Sequence, residues 1–437
     1  MDLFVIPTHR LCKKAVVSSL EEAVILKEQK KEVKILVLDN GKKEIFQENK
    51  KAIDNMQKYG IDIYHFGMEN IKKLINLIHK YCDISVDELM EMLYPDKIDY
   101  GKIFNLLYLV SILVGAECIH RRDSDCFANE LTEDKYPIQV EKQFLGKYVN
   151  EIKNVEIQEK IEYDDDEKIY IVGGDYVGNW DLDTQVVNEA NPDAMKYMMS
   201  ICGISEETIE HQFSMKYEEQ EKYNELPVLS NVFEVSQSPE CGNISMCEIY
   251  KYIPNFVGEN GMGFDNHTYF IGFQVKLPII YHFNSISHIH DENRNNDIDI
   301  FRYWRGIAKM VDFDTYHLMF INLGYFDLLC REGYGLSAIK KNYKELLPCL
   351  LERTLEQLDR ETRIKRIEIV AEKILRPTQI ELYQNIADYL QKEKNNIIDE
   401  LDYEYKLSIK IQRKWEVLVN TVERISKNRD ELVQLGL

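Results

Sequence analysis

The segment GKIFNLLYLVSILVGAECIHRRDSD, Gly101 to Asp125, decides how the chain is read. From about Tyr100 to Val114 it is a nearly continuous apolar stretch of helical length. Gly115 and Ala116 then make a tight junction, and Glu117 to His120 reads as a short buried strand. Asp123, Ser124 and Asp125 follow directly. Strand alternation puts both carboxylates on one side of the backbone, at the strand's carboxyl end, where open α/β sheets bind ligands. Two convergent carboxylates offer hard oxygen ligands to Mn²⁺ or Mg²⁺, ions that bridge to the phosphates of a nucleotide. An acid-x-acid triplet also recurs by chance in this chain, as at Asp181 and Asp183 or Asp297 and Asp299. A solvated acidic turn is therefore the competing reading.

Upstream of this segment, short apolar runs alternate with helical patterns. Leu3–Pro7, Val33–Leu38 and Ile61–Phe66 read as strands, with helices over Leu11–Lys31 and Lys50–Tyr59 between them. Helix-length connections between strands imply βαβ units and a parallel sheet. Downstream, Lys168–Val172 reads as a strand followed by a loop, GGDYVGNW, and Val232–Val235 and Ile279–Phe283 are further strand candidates. From about Asn342 the pattern is almost wholly helical. We expect an α/β fold with a mixed or parallel sheet flanked by helices and a C-terminal all-α extension. The expected division is 1–335, with halves 1–130 and 131–335, followed by a helical extension over 336–437. That extension is a candidate dimerising arm.

Composition narrows the class. The 437 residues include 75 acids against 54 bases, a net charge of -21. So acidic a surface repels a phosphate backbone, so nucleic acid is not expected as a principal partner. A local basic pocket for a small phosphorylated ligand is compatible with it. The opening MDLFVIPTHR lacks the basic region of a secretory leader, and the run Ile103–Ala116 is too short to span a bilayer. Nine scattered cysteines without a C-x-x-C pair suggest reduced thiols. These features lead us to expect a cytoplasmic protein with no transmembrane segment.

An ordered set of motifs, PTHR (Pro7–Arg10), LDNG (Leu38–Gly41), Asn105, the Asp123–Asp125 triplet, GFDN (Gly263–Asn266) and HIHD (His288–Asp291), resembles the nucleotide-diphospho-sugar glycosyltransferases of the GT-A fold. The resemblance spans about residues 1–300. It implies that Pro7, Thr8 and Arg10 meet the nucleotide base and ribose, that Asp39 hydrogen-bonds one of them, and that Lys102 and Asn105 lie near the donor. Arg121 and Arg122 would flank the acids with positive charge, and Asp123 and Ser124 would touch the nucleotide sugar. A metal, Mn²⁺ or Mg²⁺, would be held by Asp123, Asp125 and either His288 or His290; on a strand the two histidines point the same way. Asp265 would be the general base, or alternatively a helix N-cap. Asp175, Tyr176 and Trp180 of GGDYVGNW are candidate sugar contacts, with an ordinary surface turn as the alternative. Cys241-Gly242-Asn243 is a weaker candidate.

The implied activity is metal-dependent transfer of a sugar from a nucleoside-diphosphate sugar, a UDP-sugar first among donors, to an unknown acceptor. A sugar-phosphate nucleotidyltransferase is the first rival, although IPTHRLCKK lacks the glycine-rich phosphate loop that such an enzyme carries after its first strand. A non-catalytic scaffold that assembles partners through the helical tail is the second.

Overall fold

The structure is a computed structural model. It describes residues 1–56, 59–128, 136–157, 167–178, 182–204, 206, 209–210, 226–230, 239–240, 242–289, 300–331 and 333–437. The expected α/β architecture is present: a mixed ten-stranded sheet flanked by helices, with a helical C-terminal region. The strands are β1 (Asp2–Thr8), β2 (Val33–Asp39), β3 (Asp62–Gly67), β4 (Cys118–Arg121), β5 (Cys126–Phe127), β6 (Glu156–Ile157), β7 (Ile171–Gly178), β8 (Val228–Ser230), β9 (Ile244–Cys247) and β10 (Ile279–His288). Their order is β3-β2-β1-β4-β9-β7-β10-β8-β6, with β5 paired to β10. The block β3-β2-β1-β4 is parallel. Strand β9 runs antiparallel to both β4 and β7, and β10 is parallel to β7. The carboxyl ends of β1, β2, β4, β7 and β10 therefore share one edge of the sheet.

Both faces of the parallel block are covered, which is why its strands read as continuous apolar runs. Leu3, Val5, Leu36 and Leu38 enter a large core with the helix Tyr100–Leu113 and the C-terminal helices. Their neighbours Phe4, Ile6, Ile35 and Val37 pack against the helix Lys13–Glu28 on the other face.

Strand β7 differs from expectation. Its glycines lie inside the strand and not in a loop after it. A Cβ at Gly173 would sit 2.4 Å from the Asn243 carbonyl, and one at Gly174 would sit 2.4 Å from that of His282. Only glycine lets neighbouring backbones approach so closely. The expected strand at Val232–Val235 lies outside the described residues.

The C-terminal region packs into the same large core as the sheet. Its principal element is the 45-residue helix Glu381–Ile425. After β9 the chain runs irregularly from Glu248 to Gly263, and its buried backbone groups need partners from elsewhere. One face of the long helix supplies them. Glu404 Oε1 accepts from Glu259 N and Ser408 Oγ from Val257 N, both at 2.9 Å. Gln412 Nε2 donates to the Tyr252 carbonyl and Trp415 Nε1 to that of Tyr250, both at 3.1 Å. Lys309, fully buried on the helix Ile300–Asn322, donates to the Glu259 carbonyl and to Glu404. Burial pushes the Glu404 carboxyl up to about 7, against the opposing pull of Lys309. Among the described residues, no helix is long and apolar enough to cross a membrane.

Candidate active site

The shared carboxyl edge gathers several of the expected residues. Residues Asp123 to Cys126 form a turn closed by a 3.0 Å bond from Cys126 N to the Asp123 carbonyl. Because a turn interrupts the strand, alternation does not hold there, and the two acids do not converge as expected. Asp123 accepts two bonds from Arg121, at 2.9 and 3.0 Å. Asp125 turns towards Arg10 instead, which reaches its Oδ2 at 3.3 Å from the loop after β1.

His288 meets Asp125 through sheet register. It is the last residue of β10 and pairs antiparallel with Cys126 of β5. Ile289 N then donates to the Asp125 carbonyl at 3.2 Å. His288 Nε2 lies 3.6 Å from Asp125 Oδ2, and the Tyr176 ring packs edge-on against the imidazole, with centroids 5.0 Å apart. Asp125, Cys126 and His288 each place a ligand atom within 4.8 Å of the others. This carboxylate, thiol and imidazole set suits a divalent transition ion by donor chemistry. His290 and Trp180 lie outside the described residues.

Asp265 reaches the same edge from a 3-10 turn, Phe264–Asn266, after Gly263 in the left-handed region at φ 76°. The helix that follows it, His267–Gln274, has Asn266 at its N-cap and no side-chain capping bond, so the N-cap alternative for Asp265 is not realised. Arg121 donates to Asp265 Oδ2 at 2.7 Å while holding Asp123, and its guanidinium stacks on Phe104 at 3.8 Å. Arg121 and Asp265 also line a narrow, largely apolar crevice with Phe104, Tyr108, Ile244 and Tyr269.

Other expected residues have different surroundings. Arg122 is turned into the opposite face, where it donates to Glu22 and Glu141, both fully buried. It therefore does not flank the acids with positive charge; its NH1 reaches back only to the Arg121 carbonyl at 2.8 Å. His120 joins this buried group. Burial alone would lower its basicity, but the 3.0 Å hydrogen bond to Glu141 and the negative charges of Glu141 and Asp2, the latter 3.6 Å away, raise it to about 9. Burial pushes Glu141 up, yet Arg122 and His120 outweigh it and hold the carboxyl well below the usual range.

Asp39 is wholly buried. Its oxygens accept from Gly41 N at 2.8 Å and Asn49 at 2.9 Å, with His65 Nε2 at 3.0 Å, so it shapes the loop after β2 from within. Asn105, also fully buried, exchanges two hydrogen bonds with the backbone of Asn255. Lys102 donates to the Tyr94 carbonyl at 3.3 Å. Thr8 accepts from Arg10 N at 3.1 Å and donates to its carbonyl at 2.7 Å, which fixes the loop that presents Arg10; Pro7 precedes it, half-buried. Ser124 is half-buried in the turn. Asp175 accepts from Tyr281 at 2.6 Å, and Asn243 Nδ2 donates to the Asp175 carbonyl at 2.8 Å.

Sequence reasoning missed Cys126 and undervalued Arg121. The signal for Cys126 was its place beside Asp125. Its facing His288 depends on a long-range register that no local pattern carries.

Fold and edge together define a mixed α/β protein with a carboxylate-thiol-imidazole cluster at the carboxyl ends of its strands. Residues 3–431 match the model of the family described as a family of unknown function, DUF6271, and the chain belongs to that family. No curated protein matches it. Among solved structures it is similar to the crystal structure of S. aureus TarS 1-349, with 10% identity and a TM-score of 0.33 over 95% of this chain and 90% of that one. It is also similar to the same protein in complex with UDP, with 11% identity and a TM-score of 0.33 over 95% and 92%. Both likenesses are too distant to bear on function.

Proposed function

We propose that the chain is a metal-dependent glycosyltransferase that moves a sugar from a nucleoside-diphosphate sugar, a UDP-sugar first among candidates, to an acceptor. The observation that carries this reading is the 3.6 Å approach of His288 to Asp125 at the carboxyl edge. Residues distant in sequence there offer oxygen and nitrogen ligands beside Arg10. Asp125 and His288 would hold Mn²⁺, or Mg²⁺ less readily, since imidazole suits Mn²⁺ better. Such an ion supplies Lewis-acid neutralisation of charge on a leaving diphosphate.

The chain's own residues do the rest. Arg10 provides a guanidinium for a phosphate oxygen, exchanging its partner Asp125 for the ligand. Asp265, steadied through Oδ2 by Arg121, keeps Oδ1 to accept the proton of an acceptor nucleophile.

The test incubates the full chain with UDP-, GDP- and TDP-sugars, with and without Mn²⁺, and measures released nucleoside diphosphate. The expected outcome is slow Mn²⁺-dependent release that vanishes in Asp125→Ala. Pyrophosphate release from nucleoside triphosphate and sugar phosphate would overturn the proposal in favour of a nucleotidyltransferase. Absence of turnover and of metal dependence would favour a scaffold.

A further inference from the structure

We infer that Cys126 is a third protein ligand at this edge, making it an oxygen-nitrogen-sulfur site that prefers a borderline ion of the zinc or cobalt class to Mg²⁺. The inference rests on the proposed metal site and deepens it. Cys126 and His288 are directly opposed in an antiparallel pair. Opposed residues of such a pair project to the same face with Cβ atoms about 5 Å apart, so the backbone ladder itself sets sulfur beside imidazole. Asp125 completes the set, with its Oδ1 4.0 Å from the Cys126 sulfur and its Oδ2 turned to His288.

Cys126 is almost wholly enclosed, at 3% exposure. Part of its cover is Gly242, where a Cβ would come within 2.7 Å of Sγ. Gly242 holds φ 88°, a left-handed conformation that also favours glycine. The chain thus leaves room for this sulfur and little for anything larger.

Thiolate sulfur selects softer ions, whereas a purely carboxylate and water site accepts Mg²⁺ and Mn²⁺ readily. On binding, the S–H bond breaks heterolytically. Its electron pair goes to the metal as a sulfur–metal bond forms, and the proton goes to water. No oxidant or reductant is needed.

The experiment titrates the metal-free full chain with Co²⁺ and follows near-ultraviolet thiolate-to-cobalt absorption. Zn²⁺ and Mn²⁺ affinities are measured in parallel by competition with a chromophoric chelator. Wild type should develop the band. Cys126→Ser should lose it, bind Zn²⁺ on the order of 10- to 100-fold more weakly, as loss of a group that tunes a metal site typically does, and keep its Mn²⁺ affinity within a few-fold. Thermal melts verify that the variant folds, and Cys118→Ser, which changes a thiol on β4, should keep the band. Co²⁺ binding that Asp125→Ala abolishes but that shows no thiolate band would overturn the inference and leave the metal site standing. A band that persists in Cys126→Ser would overturn it as well. If no divalent ion binds at all, the inference falls together with the metal-dependent reading.

Discussion

Arg121 and Arg122 are consecutive, carry the same side chain, and are both largely buried, yet they belong to different parts of the molecule. Arg121 stacks on Phe104 and bridges Asp123 to Asp265 at the carboxyl edge. Arg122 projects to the opposite face, against Phe4, and is locked between Glu22 and Glu141. The difference lies in the partners. Asp123 is 23% exposed and can exchange Arg121 for a ligand, leaving Asp265, 7% exposed, as the buried acid of that group, whereas Arg122 serves two acids, Glu22 and Glu141, that are both fully buried. One cluster is open to exchange with a ligand; the other holds β4 in place beside it.

The sharpest way to break this comparison is to remove each guanidinium. Arg122→Met strands two buried carboxylates and should cost about 3–5 kcal/mol of stability, as breaking a buried ion pair does. Arg121→Met strands one buried acid, Asp265, and not two, so it should cost less than Arg122→Met in urea unfolding, and equal losses would erase the distinction.

A pH series sharpens it next. His120 in the folded chain titrates at about 9, above the ordinary imidazole value of 6.5. A raised folded value contributes stability that is fully present below the unfolded value and is lost as pH rises through the folded one. Stability should therefore fall by roughly 2 kcal/mol between about pH 7 and pH 9.5. His120→Gln should flatten that fall, and an unchanged slope would remove His120 from the cluster.

At the edge the sign of the contrast reverses. Asp125 is partly exposed and its partner Arg10 more so, so Asp125→Ala should change stability by no more than about 1 kcal/mol while abolishing Mn²⁺-dependent diphosphate release. The smallest effect belongs to Lys102, whose amine rests on the Tyr94 carbonyl. Lys102→Gln should shift stability by less than about 0.5 kcal/mol and leave diphosphate release within about two-fold of wild type. A larger loss of release would return Lys102 to the edge.

Much of this was legible in the sequence, because apolar runs bounded by turns mark buried strands wherever they occur. Strands β1 to β4 fall within a residue or so of their expected bounds, and the helix Tyr100–Leu113 is nearly as read. The structure also places His288, one of the two histidines expected at the metal, 3.6 Å from Asp125. What local pattern could not supply was orientation. Asp123 and Asp125 were placed on one side by strand alternation, but the turn at Asp123–Cys126 separates them. Arg122 was assigned to the edge by proximity alone, while its acids, Glu22 and Glu141, lie far off in sequence. The glycines of β7 looked like a loop because their cause, the Asn243 and His282 carbonyls, comes from other strands. Asp39 and Asn105 are polar residues at expected positions whose hydrogen bonds are satisfied internally, a distinction that only packing reveals.

The face of the long C-terminal helix that holds residues 250–259 has a consequence for how the chain tolerates change in length. Glu404, Ser408, Gln412 and Trp415 recur at intervals that keep them on one side of the helix. Each extra residue turns a helix by about 100°. A single insertion between Glu404 and Ser408 would swing one half of this stripe away from its backbone partners, even with every side chain retained. Helix and irregular segment thus share a frame: even a whole-turn insertion, which restores the rotation, moves one half of the stripe about 5.4 Å along the axis and off its partners, while the same changes beyond Ile425 escape that constraint.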